Sequence, residues 1–285
     1  MSFEQSIALL DEETVLAECG PMRLAIRAWQ NDRPQIALSQ QAAEASFVYL
    51  EAVATHKKAL SEIAGNVSPA AENALALRMI ESVRAIGDMD LTPMAAVAGT
   101  IADAVADWIF NRGPTKVLVD NGGDIAVRLA AGESATVGIR PRVECFDISH
   151  IARLDDRRSS WGVTTSGLGG RSFTRGIASA VTVIAENASI ADAAATAIAN
   201  ACVVEDPGIV QLPAEQVDPR TDLKGVNVTT EVGVLSHGKK IQAVKTALAK
   251  AEMLCRREAI VGAVIALEDV FMMTESVTEL IASSN

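Results

Sequence analysis

The 285-residue chain is 49% hydrophobic and 21% charged, the balance of an ordinary globular protein, and is long enough for one large domain or two smaller ones. Aromatic residues supply only 4%, so aliphatic side chains and alanine must fill the core. Asp and Glu number 36 against 25 Lys and Arg, a net charge of −11 with no basic run, which argues against a phosphate-backbone-binding surface and leaves nucleic acid unexpected as a partner.

The opening "MSFEQSIALLDEETVLAECG" has neither the basic start nor the apolar run of a secretion signal. The longest apolar run, "AIVGAVIAL" (259–267), is too short to span a bilayer. A cytoplasmic protein without a membrane partner is expected. Its four scattered cysteines (Cys19, Cys145, Cys202, Cys255) are then reduced and structural.

In chain order, "TVLAECGPMRLAIRAW" (14–29) reads as a hairpin turning at Gly20-Pro21. A long helix is expected after Ser39. A second opens with Ser68 as cap and Pro69 in its first turn and ends at Gly87. A third covers 92–113, with Met94, Val97, Ile101, Val105 and Trp108 as its core stripe and Gly99, Asp103 and Asp107 opposite. Strands follow at 116–120, 125–129 and 135–140. The hydrophilic stretch 143–160 reads as a mobile loop, with His150 exposed in it. "SAVTVIAE" (179–186) reads as a strand entering an alanine-rich helix, and a helix over 240–256 and a strand over 259–267 close the chain. This order predicts a mixed α/β or α+β architecture.

Three stretches carry candidate chemistry. In "IADAAATAIAN" (190–200), Asp192, Thr196 and Asn200 share one helix face among alanines. A carboxylate and a hydroxyl one turn apart are the hard oxygen ligands Mg²⁺ takes. The competing reading makes Ser189 the helix cap and Asp192 a favourable acid in the first turn. "TTSGLGGR" (164–171) can turn backbone N–H groups inward as an anion nest, with Thr165 and Ser166 adding donors beside Gly167, or it can be a plain flexible turn. "DNGGD" (120–124) fits a tight hairpin; alternatively Gly122 and Gly123 admit a ligand close to the backbone, with Asn121 and Asp124 as polar contacts. Gly99, inside a helix, marks helix–helix contact or a ligand against the backbone. His56, His150 and His237 form no triad or zinc motif.

"MAAVAGTIAD", "VDNGGDIAV" and "VTTSG…VTVIAENASIADAAATAIAN", in that order, resemble the ApbE superfamily of flavin transferases, specifically an uncharacterised cytoplasmic branch of it. The resemblance covers roughly 15–240. It implies an ApbE-like, T-fold-related single compact domain over 1–285, with a helix–strand extension at 241–285. It also implies Mg²⁺ and FAD or FMN as cofactors. Asp192 and Thr196 become metal ligands together with a backbone carbonyl within Ala96–Ala98, taken as that of Val97. Gly99, Asn121, Gly122, Gly123, Asp124, Thr165, Ser166 and Gly167 become cofactor contacts. In the transferases an FMN moiety passes to a threonine hydroxyl of an acceptor protein.

This chain departs from them at several places, two of which remove a basic side chain. Ala98 stands where they carry lysine, and no histidine lies between His150 and His237. Arg171 is the candidate to supply the missing positive charge. The function expected is metal-mediated binding of a small nucleotide or flavin-type ligand with phosphoryl or pyrophosphate chemistry, without FMN transfer to protein threonine. The alternative is a non-catalytic module holding a flavin- or pterin-like ligand. A homodimer is the expected assembly.

Overall fold

Alternation of buried and exposed residues along 15–30 produces two strands around a tight turn, with Gly20 at φ 55, a region glycine enters freely. The computed structural model describes residues 3–67, 73–88, 90–143 and 147–283. Its first part holds β1 (Gln5–Leu9), β2 (Val15–Cys19), β3 (Met22–Gln30), β4 (Arg33–Pro34), α1 (Ile36–Thr55), α2 (Lys57–Leu60), α3 (Ala74–Ile86) and α4 (Val97–Phe110). Then come β5 (Lys116–Asn121), β6 (Asp124–Leu129), β7 (Ser134–Ile139), β8 (His150–Asp155), β9 (Ser160–Ser166), β10 (Ala180–Ala185) and α5 (Ala188–Asn200). The chain finishes with β11 (Ile209–Pro213), α6 (Ala214–Val217), β12 (Asn227–Val232), α7 (His237–Arg256), β13 (Gly262–Leu267), β14 (Val270–Met273) and β15 (Ile281–Ser283). Mixed α/β is the class expected.

The chain divides into two compact units, each drawn from separate segments. The first comprises Met1–Thr136, Arg153–Thr164 and Ala185–Ala193. Its antiparallel strands run in the order β1-β2-β3-β5-β6-β9. In register, Leu24 faces Asn121, Ile26 faces Val119, Val119 faces Ala126, and Ala126 faces Gly162. Directly opposed residues share a face, so these make one inward surface, and α4 packs against β5 and β6.

The second unit comprises Val137–Ala152, Thr165–Ile184 and Ala194–Asn285. In it β10 pairs with β13, β13 with β14, and β11 with β12. The 241–285 stretch is integral here: β13 is buried along its whole length and α7 packs on it.

Several local expectations are corrected. The first helix starts at Ile36, with Ser39 buried inside it rather than ahead of it. Ser68 and Pro69 lie outside the described residues; α3 is instead capped by Asn73, whose side chain accepts from the N–H groups of Leu75 and Ala76, and it ends at Gly87 with φ 69. Met94, Val97 and Trp108 are only half-buried, whereas Gly99 and Asp103, assigned to the outer face, are buried. The helix is covered by the sheet on one side and by other helices elsewhere, so a single apolar stripe understates its buried surface. The 93–110 stretch also has the length and apolarity to cross a bilayer, yet Ile101, Ala102, Val105, Ala106 and Ile109 are all buried within the protein. Cys19 and Cys202 are buried, Cys255 is half-buried and all three are free thiols; Cys145 lies outside the described residues.

The largest correction concerns 143–160, of which 144–146 lie outside the described residues. Residues 150–155 form a strand, with Ala152 and Leu154 buried and Arg153 exposed between them, and it pairs with β15. The charged Asp155–Arg158 turn hides this short alternation in the sequence. His150 is half-buried, its ring stacked on Phe271 with centroids 4.3 Å apart, and burial lowers its pKa. Amides of 150–155 should therefore exchange as slowly as those of 116–129, and trypsin should cut at Arg157 or Arg158 before Arg153. Equal cleavage at all three arginines would contradict the strand.

Candidate functional site

The alanine-rich helix begins two residues earlier than Ser189 would place it. Asn187 is the cap: its Oδ1 accepts from the Ile190 N–H at 2.9 Å and its carbonyl from the Ala191 N–H at 3.2 Å. Asp192 is then the fifth helical residue, beyond the first turn where a carboxylate interacts with its own helix dipole. Capping of α5 therefore does not explain Asp192.

The start of α5 is held by Asp103 on α4. This carboxylate, fully buried, accepts from the N–H groups of Ala188 (3.1 Å) and Ser189 (2.8 Å) and from the Ser189 hydroxyl (2.7 Å). It also pairs with the Arg128 guanidinium at 2.9 Å, while Arg128 Nε donates to Asp107 at 2.8 Å and Arg78 reaches Asp107 at 3.1 Å. Burial works against the Arg128 charge, but Asp103 and Asp107 hold its pKa above the ordinary value. The spacing along α4 by itself puts both Asp103 and Asp107 on the outer side of the helix. The signal that locates them is Arg128 itself, a charge inside the apolar run "IAVRL" that requires a buried partner.

Two glycines let α5 approach this closely. A Cβ at Gly99 would overlap the Ala188 carbonyl oxygen, and one at Gly162 would overlap the Asn187 carbonyl. Gly99 thus marks helix–helix contact, one of the two alternatives, and the same contact delivers Asp192. Its Oδ2 accepts from the Gly99 N–H at 3.0 Å. Gly99 lies in the first turn of α4, which has no side-chain cap of its own, so Asp192 caps α4 from a neighbouring helix. Burial pushes the Asp192 pKa up to about 7; the N–H groups of Gly99 and Ala98 hold it down and the nearby Asp103 carboxylate adds to the rise.

Beside this carboxylate, the Ala98 carbonyl accepts from Asn121 Nδ2 at 3.2 Å, and Asn121 is 3% exposed. Gly122 and Gly123 take φ 69 and 108 and make the two-residue hairpin, with the Gly123 N–H donating to Asp120 Oδ1 at 2.7 Å. The turn accounts for both glycines, and Asn121 is the residue of this motif that reaches α4. Asp124 faces Thr164 across the β6–β9 ladder. Thr100 and Thr164 carry buried hydroxyl oxygens without a hydrogen-bond partner among the described residues.

Along α5, Thr196 follows Asp192 by one turn. Asp192, Thr196 and Asn200 are half-buried while the other residues from Ala191 to Ala199 are buried. In the second unit Asn200 Oδ1 accepts from the Arg175 N–H at 2.9 Å and from the Thr174 hydroxyl at 3.3 Å, a structural use. Thr165 Oγ1 lies 2.8 Å from Thr182 Oγ1. Gly167 passes so close to the Ser179 carbonyl that an added Cβ would sit 2.8 Å from its oxygen. The Leu168 N–H donates to Ala178 at 2.9 Å and the Gly170 N–H to Gly167 at 3.3 Å, so two of the donors an anion nest would need face the protein instead. Ser166 is half-buried at the end of β9, and Arg171 is exposed.

These features define a mixed α/β protein similar in fold to the flavinyl transferase ApbE of Pseudomonas stutzeri, solved in its apo form. That structure matches with a TM-score of 0.51 and 17% identity, over 98% of this chain and 97% of that one. The model of the family described as AbpE bacteria matches residues 7–276, and the chain belongs to that family. A UPF0280 protein of Methanopyrus kandleri is 41% identical over 139 residues, which is 48% of this chain and 55% of the relative. A UPF0280 protein of Methanocaldococcus jannaschii is 34% identical over 164 residues, 54% of this chain and 63% of the relative. The chain thus aligns with little more than half the length of these curated relatives.

Proposed function

We propose that this protein binds a flavin or related nucleotide through a divalent cation held by Asp192, Thr196 and a backbone carbonyl at the start of α4, that of Val97 or Ala98. The observation that carries the reading is Asp192: a carboxylate placed beyond its own helix's first turn, held by α4, with a pKa pushed up to about 7 because burial leaves its charge poorly compensated. The donor chemistry fits a hard cation, since carboxylate, hydroxyl and carbonyl oxygens are what Mg²⁺ takes, with water or phosphate completing the shell. Such a cation would neutralise charge on a phosphate or pyrophosphate.

The chain's own residues do the rest. Asn121 steadies the Ala98 carbonyl. Net charge −11 keeps the partner a small molecule rather than nucleic acid. A cytoplasmic location and a homodimer belong to the same reading.

Binding without transfer is favoured over transfer by a specific observation. Attack by a threonine hydroxyl needs a proton acceptor and a stabilising cation. Ala98 carries no amine, no histidine lies in 151–236, and the buried Arg128 is committed to Asp103 and Asp107. Arg171 is always protonated and a poor base. FAD fluorescence should therefore titrate with the protein when Mg²⁺ is present and fail to titrate in EDTA. Intact-mass measurement after incubation with FAD, Mg²⁺ and a threonine-bearing acceptor should show no FMN adduct. An adduct would restore the transferase reading; titration unaffected by EDTA would remove the cation.

A further inference from the structure

We propose that Asp103 is a positioning residue for Asp192: by holding the N-terminus of α5 against α4, it sets the contact in which Asp192 meets the Gly99 N–H. This rests on the cation reading only for its consequence, since the contact exists with or without metal. Four bonds converge on the Asp103 carboxylate. Three come from the first two residues of α5 (Ala188 N–H, Ser189 N–H and Ser189 Oγ) and one from Arg128. Asp192 lies one turn further along α5, and Gly99 one turn back from Asp103 along α4, so the Asp103–Ser189 and Gly99–Asp192 contacts are successive rungs between the same two helices.

The arrangement also separates two roles. Asp107 shares Arg128 with Asp103 but, among the described residues, makes no bond to α5. Losing Asp107 therefore disturbs the ion pair without releasing the helix. Losing the Asp103 charge weakens the hold on Ala188 and Ser189, whose N–H groups have no carbonyl one turn earlier in their own helix to receive them. Gly99 has the same property at the start of α4, so its amide exchange reports directly on Asp192, while that of Val105, mid-helix, reports on α4 as a whole.

The experiment measures amide exchange of Gly99 relative to Val105 in the full-length chain for wild type, Asp103→Asn, Asp107→Asn and Ser189→Ala, alongside Mg²⁺ titration of each. Asp103→Asn should speed Gly99 exchange about tenfold relative to Val105 and weaken Mg²⁺ by about tenfold, the usual effect of removing an outer partner of a metal ligand. Asp107→Asn should leave both within about twofold, and Ser189→Ala should fall between. Should Asp103→Asn fail to fold, Ser189→Ala decides: a Gly99 amide unchanged relative to Val105 overturns the proposal. Equal effects of Asp103→Asn and Asp107→Asn overturn it as well, because the ion pair would then act only on stability. If wild type takes up no Mg²⁺ while the Gly99 amide responds as described, the cation reading falls and the positioning role stands.

Discussion

Asp192→Asn should make the metal-free protein more stable above about pH 7, by up to about 4 kcal/mol, while leaving stability near pH 4 almost unchanged. The sign follows from the direction of the shift. Asp192 ionises near 3.8 in the unfolded chain and near 7 in the folded one. Between those values the folded state holds the proton and the unfolded state does not, so stability falls as pH rises, and the loss is complete above about pH 7. Asparagine has no charge to desolvate, and its Oδ1 can still accept from the Gly99 N–H. Thermal melts of the two proteins in EDTA from about pH 4 to 8 should therefore diverge upward with pH. Parallel curves would mean that the carboxylate is adequately solvated and that its burial creates no demand for a cation.

Gly99→Ala should destabilise the fold, although alanine is the better helix former. The propensity gain is about 1 kcal/mol. Against it, the new Cβ would overlap the Ala188 carbonyl oxygen, come within 2.5 Å of its carbon and sit 3.0 Å from the Asp192 Cβ. The obstacle is backbone, which cannot rotate away as a side-chain end can, so overpacking of about 3 kcal/mol or more outweighs the propensity gain. The α4–α5 contact must open, carrying Asp192 off the Gly99 N–H. Gly238→Ala is the matched comparison: it lies in the first turn of α7 with nothing within 4 Å of the added carbon. It should be neutral or stabilising by up to about 1 kcal/mol. Urea midpoints for both variants test the argument, and a Gly99→Ala midpoint at or above wild type would show that α5 is not clamped at this point.

Elements that carry a pattern of their own were legible in the sequence. The 15–30 hairpin, β5, α7 and the Asp192–Thr196–Asn200 face of α5 show a period, while β6 and the fully buried β13 show as short apolar runs. What was not legible depends on pairing at a distance. Asp103 has the spacing of a solvent-facing acid and becomes a buried hub because the N–H groups of α5 and the Arg128 guanidinium arrive there. Ser189 looks like a cap until Asn187, two residues earlier, takes that role. Gly122 and Gly123 form the tight hairpin that their sequence suggests, but nothing local shows that Asn121 beside them reaches the Ala98 carbonyl. β8 was hidden because two buried residues, Ala152 and Leu154, are too few to register a period next to a charged turn.

The central claim is that Asp192 holds a divalent cation, and calorimetric titration of Mg²⁺ into the protein with FAD present, at about pH 8 where the carboxylate is ionised, tests it most directly. Wild type should take up Mg²⁺ at one site per chain. Asp192→Asn, folded and at least as stable by thermal melt, should bind about a hundredfold more weakly, because a neutral amide replaces the charged ligand. Equal affinity in the two proteins, or no Mg²⁺ uptake by wild type with FAD present, would contradict the account and leave Asp192 as a cap for α4 alone.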